Sequence, residues 1–316
     1  MPQLIHRHSE GIFIIAATPF CDNGSLDLAS TDSMIEFYLE SGVSGITILG
    51  IMGEAPKLGD VESKDFASHV IQRVDGRVPT VVGVSGAGLD NMVKLSHSAM
   101  DAGAAGVMVA PMQGLTTATK LSSYYAQVCE ALGPDVPICL QDYPQTTGVH
   151  FSVETILSLA YDHPQLVMLK HEDWPGLTKL SQVRAESGTE DVPRLSILVG
   201  NAALFLPLEL QRGADGAMTG FAYPEMLVQV FNRHKSGDIQ GAEDLFDLYL
   251  PMVRYEQQLG IGLAIRKEIL RRRGILSSAK VRSPGPSLTE KDHAELTYLM
   301  ERLRRKLEGF SGWNFT

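Results

Sequence analysis

The chain has 316 residues, of which 44% are hydrophobic and 20% charged, and its formal net charge is −10. This composition is typical of a soluble globular protein, and the acidic balance argues against nucleic acid as a partner, because phosphate-binding surfaces are basic. The three cysteines, Cys21, Cys129 and Cys139, have no CxxC spacing and predict neither a disulfide framework nor a zinc site.

Eight short apolar runs recur about every 30 residues, the span of a βαβ unit. They are rich in Val, Ile, Leu and Met and do not alternate with polar residues, which is typical of parallel strands buried on both faces. The predicted strands are 11–19, 45–50, 80–85, 106–110, 137–140, 166–170, 195–200 and 216–219.

Amphipathic helical patterns separate these strands. The predicted helices are 28–41, 61–74, 89–102, 121–132, 153–161, 177–186, 204–211 and 226–233. Eight strand–helix units favour a closed (β/α)8 barrel, a TIM barrel, over an open doubly wound sheet. No GxGxxG follows the first strand, which further disfavours a dinucleotide-binding fold.

The pattern becomes all-helical near the C-terminus, with helices predicted over 238–258, 260–273 and 289–308. We therefore predict a barrel catalytic domain over 1–236 and a helical extension packed on it over 237–316. The apolar residues Leu248, Leu250, Met252 and Val253 are consistent either with an oligomer contact or with packing inside the chain.

Active sites of such barrels lie at the carboxyl ends of the strands. Lys170 ends the sixth strand after Leu166–Leu169, so its stem should leave a dry interior. Burial disfavours a charged ammonium, and a neutral amine can attack a carbonyl. The alternative is a lysine that merely ends a strand and reaches solvent.

Other strand ends supply further candidates. The turn at Gly50–Gly53 could hold a carboxylate on its backbone N–H groups, or it could be an ordinary βα turn. Tyr143, after the fifth strand, is a candidate proton relay or an ordinary packed aromatic side chain. Because successive residues of a strand point opposite ways, Glu172 should share the inner face with Lys170, and His171 should point outward in a structural role.

We expect no metal site, because the histidines, including His150 and His163, have no ligand spacing. The N-terminus lacks the apolar core of a signal peptide, and no run of about 18 apolar residues could span a membrane. A cytoplasmic protein with no membrane partner is therefore expected.

Together these strand ends resemble the dihydrodipicolinate synthase / N-acetylneuraminate lyase superfamily of Schiff-base barrels. The matching segments cover nearly the whole chain: Thr18-Pro19-Phe20, Gly50-Ile51-Met52-Gly53-Glu54 where the family usually has G-T-T-G-E, Pro144 with Thr147-Gly148, Lys170 at the position of the imine-forming lysine, and Gly200 and Gly216. The resemblance implies that Lys170 forms a covalent imine without a cofactor, that the substrate is a small 2-oxo acid, and that the protein is a homotetramer.

The departures from the family pattern bear on the substrate. Ile51 and Met52 replace the usual threonine pair, Gln141 replaces the usual strand-five tyrosine, and Thr146 stands where the synthase has an arginine for a distal carboxylate. The strand-four tyrosine region reads Met112-Gln113. A true dihydrodipicolinate synthase is therefore not expected.

One branch, the 2-keto-3-deoxy-L-arabinonate dehydratases, is similar in the segment Gln141–Pro144, in Lys170-x-Glu172, in Gly216–Gly220, and in Gly260-Ile261 with Ala264 and Lys267. This resemblance implies a lyase, either a dehydratase or an aldolase, acting on a 2-keto-3-deoxy sugar acid. Two alternatives stay open: a hydratase-aldolase that releases pyruvate and an apolar or aromatic aldehyde, and a catalytically silent 2-oxo acid binding protein.

On this hypothesis Lys170 is the nucleophile, Gln141 or Tyr143 orients the substrate, and Tyr143, Glu172 or a water molecule moves protons. The residues assigned to substrate binding are Ile51, Met52, Gly53, Gly200, Met218 and Thr219. The first three would hold the substrate carboxylate on backbone N–H groups.

Overall fold

The structure is a computed structural model that describes residues 3–86 and 88–310. Eight parallel strands pair in chain order and close on themselves, since β1 also pairs with β8. The strands are β1 Gly11–Ile15, β2 Gly45–Ile48, β3 Thr80–Gly83, β4 Gly106–Val109, β5 Ile138–Asp142, β6 Leu166–His171, β7 Ser196–Val199 and β8 Gly216–Thr219. The predicted (β/α)8 barrel is confirmed.

Helices surround this barrel and then continue into the extension. They are α1 Leu28–Glu40, α2 Asp60–Val74, α3 Leu89–Ala102, α4 Ala118–Leu132, α5 Pro144–Thr147, α6 Val153–Asp162, α7 Leu177–Glu186, α8 Leu206–Gln211, α9 Pro224–Lys235, α10 Ile239–Glu256, α11 Gly262–Arg272 and α12 Glu290–Glu308. Short 3₁₀ turns at Ile51–Gly53, Ala55–Lys57 and Asn201–Ala203, together with α5, were not predicted.

The barrel interior is a packed apolar core, separate from the larger core between the strands and the helices. Alternate residues of each strand point inward, as the strand period requires. The interior cluster comprises Ile5, Phe13, Ile15, Val81, Ala105, Met108, Cys139, Met168, Leu198 and Met218. This dry floor determines which side chains can reach the mouth of the barrel: the next inward positions of β5 and β6 after Cys139 and Met168 are Gln141 and Lys170.

Helix α10 of the extension packs against α8, α9, α11 and α12. Met252 and Val253, considered above for an oligomer contact, are 1% and 0% exposed, so they pack inside the chain. Leu248 and Leu250 are partly buried against the same core. The division at residues 236 and 237 falls between α9 and α10 and stays a prediction, and residues 311–316 lie outside the described part. In the described ranges, no helix is both long and apolar enough to cross a membrane.

Candidate active site

Seven of the ten predicted site residues line one small cavity at the carboxyl end of the barrel. Strands β5 and β6 are neighbours, and their register places Gln141 beside Lys170. The cavity has a volume of about 60 Å³. Its lining comprises Ile15, Ile51, Met52, Gln141, Tyr143, Lys170, Glu172, Asn201, Ala202, Thr219, Gly220, Gln257 and Arg266.

Lys170 is only 5% exposed, and its Nζ lies 2.9 Å from Oε2 of Glu172. The same oxygen accepts a hydrogen bond from Nε2 of Gln141, at 2.7 Å. The Lys170 amine is therefore buried directly beside a carboxylate. Glu172 is also placed to accept the proton that Lys170 must lose before it can act as a nucleophile.

The position of Glu172 depends on β7. A Cβ on Gly200 would lie 2.1 Å from Cγ of Glu172, so only glycine leaves room for this side chain. Asn201 donates from Nδ2 to the Glu172 carbonyl at 2.9 Å. Gly200 therefore accommodates Glu172 and does not line the cavity, and its assignment to substrate binding stays a prediction.

The backbone after Gly200 adopts an unusual conformation. Asn201, Ala202 and Ala203 have φ values of 52°, 51° and 59°, a left-handed turn of three non-glycine residues. Each such residue costs of the order of 1–3 kcal/mol and persists where the surrounding structure imposes it. Here the turn brings Asn201 and Ala202 to the cavity.

Ile51 and Met52, in the turn after β2, line the cavity. The N–H of Gly53 donates to the Gly50 carbonyl at 2.9 Å, and the assignment of Gly53 to substrate binding stays a prediction. Within residues 3–86 and 88–310, no acceptor is bonded to the N–H of Ile51 or Met52. Thr18 holds the turn from behind, donating from Oγ1 to the Gly53 carbonyl at 2.6 Å.

Tyr143 lines the cavity beside Gln141, as the shared face of the two residues predicted. Burial raises the pKa of the Tyr143 hydroxyl, which therefore stays protonated and can donate a hydrogen bond. Thr219 also borders the cavity, whereas Met218 is 0% exposed and packs below it, with its sulfur 3.9 Å from that of Cys139. Met218 belongs to the barrel floor, and its assignment to substrate binding stays a prediction.

His171 points outward, as predicted. Its ring Nε2 lies 3.0 Å from the Gly176 carbonyl, and its Nδ1 lies 3.6 Å from Asp142, which is itself paired with Lys179 at 2.6 Å. These contacts fix the outer side of β5 and β6. The described residues contain no cluster of His, Cys, Asp or Glu side chains that could hold a metal ion.

Six lining residues were not among the predicted site residues: Ile15, Asn201, Ala202, Gly220, Gln257 and Arg266. Arg266 had a detectable signal, because it shares a helical face with Gly262 and Leu270, both apolar positions. An arginine on a buried helical face requires a partner, and here that partner is Glu256.

A second space adjoins the lysine cavity and shares Tyr143, Asn201 and Gln257 with it. This outer chamber has a volume of about 240 Å³, and its other walls are mainly apolar. They comprise Gln145, Trp174, Leu204 and Leu259. The two spaces together approach the lower end of the range for small-molecule pockets, roughly 300 Å³.

A buried lysine on β6, with these partners at the mouth of a (β/α)8 barrel, matches the pattern of a known family. The model of the dihydrodipicolinate synthetase family matches residues 8–303. The chain belongs to this family. Its family relatives include L-2-keto-3-deoxyarabonate dehydratase of Azospirillum brasilense, which is 30% identical over 94% of this chain and 95% of its own length.

Solved structures of family members agree with the architecture. A dihydrodipicolinate synthase from Rhodopseudomonas palustris has 46% sequence identity and a TM-score of 0.93, covering 95% of this chain and 99% of its own. YagE of Escherichia coli K12, solved in complex with pyruvate, has 27% identity and a TM-score of 0.85, covering 93% and 98%. YagE bears the provisional name 2-dehydro-3-deoxy-D-gluconate aldolase.

Proposed function

We propose that this family member is a lyase that forms an imine between Lys170 and the keto carbon of a small 2-oxo acid, with a 2-keto-3-deoxy sugar acid as substrate. The observation that carries the proposal is the buried Lys170 Nζ, which lies 2.9 Å from Glu172 in a cavity at the barrel mouth. The proposed protein needs no cofactor, because the imine itself is the electron sink.

The proposed reaction starts with a proton transfer from Lys170 to Glu172, after which the amine attacks C2 to give a carbinolamine. Glu172 returns its proton to the carbinolamine hydroxyl, which leaves as water, so that the iminium forms and Glu172 is again a carboxylate. Glu172 then accepts a proton from C3, and the electrons of the C–H bond form an enamine with the iminium nitrogen. In a dehydration, Glu172 gives the C3 proton to the C4 hydroxyl, which leaves as water, and hydrolysis of the remaining iminium frees Lys170. In an aldolase, a base would instead remove the proton of the C4 hydroxyl as C3–C4 breaks, which gives an aldehyde and the enamine.

The free N–H groups of Ile51 and Met52 would hold the C1 carboxylate. Two backbone donors can replace the absent threonine hydroxyls in a pocket whose side chains there are apolar. Tyr143, protonated at neutral pH, would donate to a substrate oxygen or to the leaving hydroxyl. The homology to a named 2-keto-3-deoxyarabonate dehydratase supports this substrate class.

Dihydrodipicolinate synthesis is the competing activity, since the solved relative at 46% identity carries that name. That reaction condenses pyruvate with an amino-aldehyde acid whose distal carboxylate needs a cationic partner. Thr146, at the position where the resemblance puts that arginine, cannot supply one. An assay with both substrate sets separates the activities.

The first prediction concerns Lys170. Borohydride added with pyruvate or with 2-keto-3-deoxy-L-arabinonate should add a stable adduct mass to Lys170, and Lys170→Ala should acquire none. Lys94→Ala, at an exposed lysine paired with Asp90, is the control and should label like the original chain. Labelling elsewhere, or none across a panel of 2-oxo acids, would contradict the proposal and favour the binding-protein alternative.

A second candidate function is favoured by the outer chamber. Its apolar walls, including Trp174, Leu204 and Leu259, are suited to an apolar or aromatic aldehyde, the second product of a hydratase-aldolase. Aldol addition of benzaldehyde to pyruvate, followed by mass spectrometry, tests it. If a Trp174→Ala variant changes the rate with benzaldehyde but not with the sugar acid, the chamber serves such an aldehyde.

A further inference from the structure

Arg266, on α11 of the extension, has an unused hydrogen-bond donor at the cavity. The residue is 3% exposed. Its Nε donates to Oε1 of Glu256 at 2.5 Å, and its Nη2 donates to the Gly220 carbonyl at 2.8 Å. Nη1 is buried and has no hydrogen-bond partner in the described part of the chain. An unpaired buried donor is costly, so the site is incomplete without an acceptor.

The position of Nη1 is explained by the alternation of inward-pointing and outward-pointing residues along β8. Met218 points into the barrel, so Gly220 is the next inward position. A Cβ on Gly220 would lie 1.8 Å from Nη1 of Arg266. The tip of Arg266 therefore occupies the space that an inward side chain would take at the end of β8, and the absence of a side chain at Gly220 admits it to the cavity.

We propose that Arg266 is a substrate-binding residue whose Nη1–H binds an oxygen carried beyond C3 of the 2-oxo acid, such as a hydroxyl of a sugar-acid chain. The inference rests on the proposed function. It makes Arg266 the determinant that distinguishes a hydroxylated substrate from one, like pyruvate, that ends at C3.

The layout of the cavity supports this assignment over the C1 carboxylate. The free N–H groups of Ile51 and Met52 follow β2, which stands across the ring of eight strands from β6 and Lys170. C1 and C3 are bonded to the keto carbon in different directions. If the C1 carboxylate lies on the β2 side, C3 and the substrate atoms beyond it must therefore extend toward another part of the cavity. Gln257, next to Glu256, lines both the cavity and the outer chamber, which places Arg266 beside the passage between them.

The charge of the Arg266–Glu256 pair also favours a hydroxyl oxygen as the acceptor. Glu256 neutralises the guanidinium, since the two groups pair at 2.5 Å in a buried position. Nη1 is therefore a strong donor within a pair that carries no net charge, which suits a hydroxyl oxygen. An arginine that was free of a carboxylate would instead favour an anion.

The experiment compares Arg266→Met with the original chain for two ligands, pyruvate and 2-keto-3-deoxy-L-arabinonate, by the concentration needed for half-maximal borohydride trapping. The pyruvate value should change less than about threefold, and the value for the hydroxylated acid should rise about 10- to 100-fold, as for a lost charged hydrogen bond. Arg273→Met is the matched control, because Arg273 pairs with Glu225 and stacks on Phe37 outside the cavity. It should change neither value.

Gly220→Ala tests the same role of Arg266 by changing the residue that Arg266 contacts. The new methyl group must displace Nη1, so this variant should reproduce the selective loss while keeping the Arg266–Glu256 charges. Arg266→Lys replaces Arg266→Met if the latter does not fold. Equal losses for both ligands, or no loss for either, would overturn the assignment. If the original chain forms no imine, the proposed function fails, and calorimetric binding of the hydroxylated acid to the same variants still decides the role of Arg266.

Discussion

Glu172 links Lys170, the proposed nucleophile, to the other residues of the site. Its Oε2 lies beside Nζ of Lys170 and accepts a hydrogen bond from the Gln141 amide. Gly200 leaves the space that the Glu172 side chain occupies. In the proposed reaction this carboxylate takes a proton from Lys170, returns it to the departing water, and then takes a proton from C3 of the imine. The residue is therefore the strongest candidate for the general base.

We expect Glu172→Gln to separate imine formation from deprotonation at C3. Glutamine keeps the size and hydrogen-bonding capacity of the side chain but cannot accept a proton. The pyruvate adduct on Lys170 should still be trapped, but more slowly, because water must then take the Lys170 proton, and exchange of the pyruvate methyl protons for deuterium should slow further, by about 10²- to 10⁴-fold. Proton NMR in D₂O measures the exchange. Asp173→Asn is the control, since Asp173 pairs with Lys179 outside the cavity, and exchange at the original rate in Glu172→Gln would assign the base elsewhere.

At the scale of secondary-structure elements, the sequence predicted the strands and helices, which have periodic patterns, and missed the short irregular turns. Strands β1–β8 and the long helices follow apolar runs and amphipathic stripes, and these were predicted within a few residues. The turns Ile51–Gly53 and Asn201–Ala203 are too short to carry a periodic pattern. The sequence therefore could not show that the Gly53 N–H is bonded to the Gly50 carbonyl or that Gly200 accommodates Glu172.

Contacts between distant elements were equally beyond the sequence. The alternation of β6 placed Lys170 and Glu172 on one face, but nothing in the sequence indicates that Gly200 lies against Glu172. Arg266 reaches Gly220 across 46 residues of chain, and only the folded extension reveals that contact. The sequence also could not show that Met218 belongs to the barrel floor, because the depth at which that floor ends depends on side chains from several strands.

We predict that Gly200→Ala disables the site through Glu172. The new Cβ would lie 2.1 Å from Cγ and 2.5 Å from Oε1 of that residue, so the carboxylate must leave Lys170. Such overpacking should lower the free energy of unfolding by about 1–3 kcal/mol. Turnover should fall at least as far as in Glu172→Gln. Gly86→Ala, where a Cβ would meet no atom within 4 Å, is the control, and a fully active Gly200→Ala enzyme would refute this account of β7.

On the scale of the whole molecule, the helical extension is part of the site as well as of the fold. Arg266 of α11 lines the cavity, and the next residue, Lys267, holds the loops behind it. Lys267 is 0% exposed and donates to the Thr18 carbonyl at 2.8 Å and to Oε1 of Glu54 at 2.6 Å. Glu54 directly follows the turn that contains Ile51 and Met52. One buried pair therefore joins α11 to the loops after β1 and β2.

Replacement of Lys267 by Met should test how much this link contributes. Burial lowers the pKa of Lys267, and the pairing with Glu54 opposes that effect, so the charges depend on each other. Removing one partner of a buried pair leaves the other uncompensated, and the free energy of unfolding should fall by about 3–5 kcal/mol in urea titrations. Lys291→Met, at an 85% exposed lysine on α12, should change the free energy of unfolding by less than about 0.5 kcal/mol.

Because the link supports the Ile51–Gly53 turn, the folded Lys267→Met protein should also need more pyruvate for half-maximal trapping. A variant as stable as the original chain would show that the barrel holds these loops without the extension.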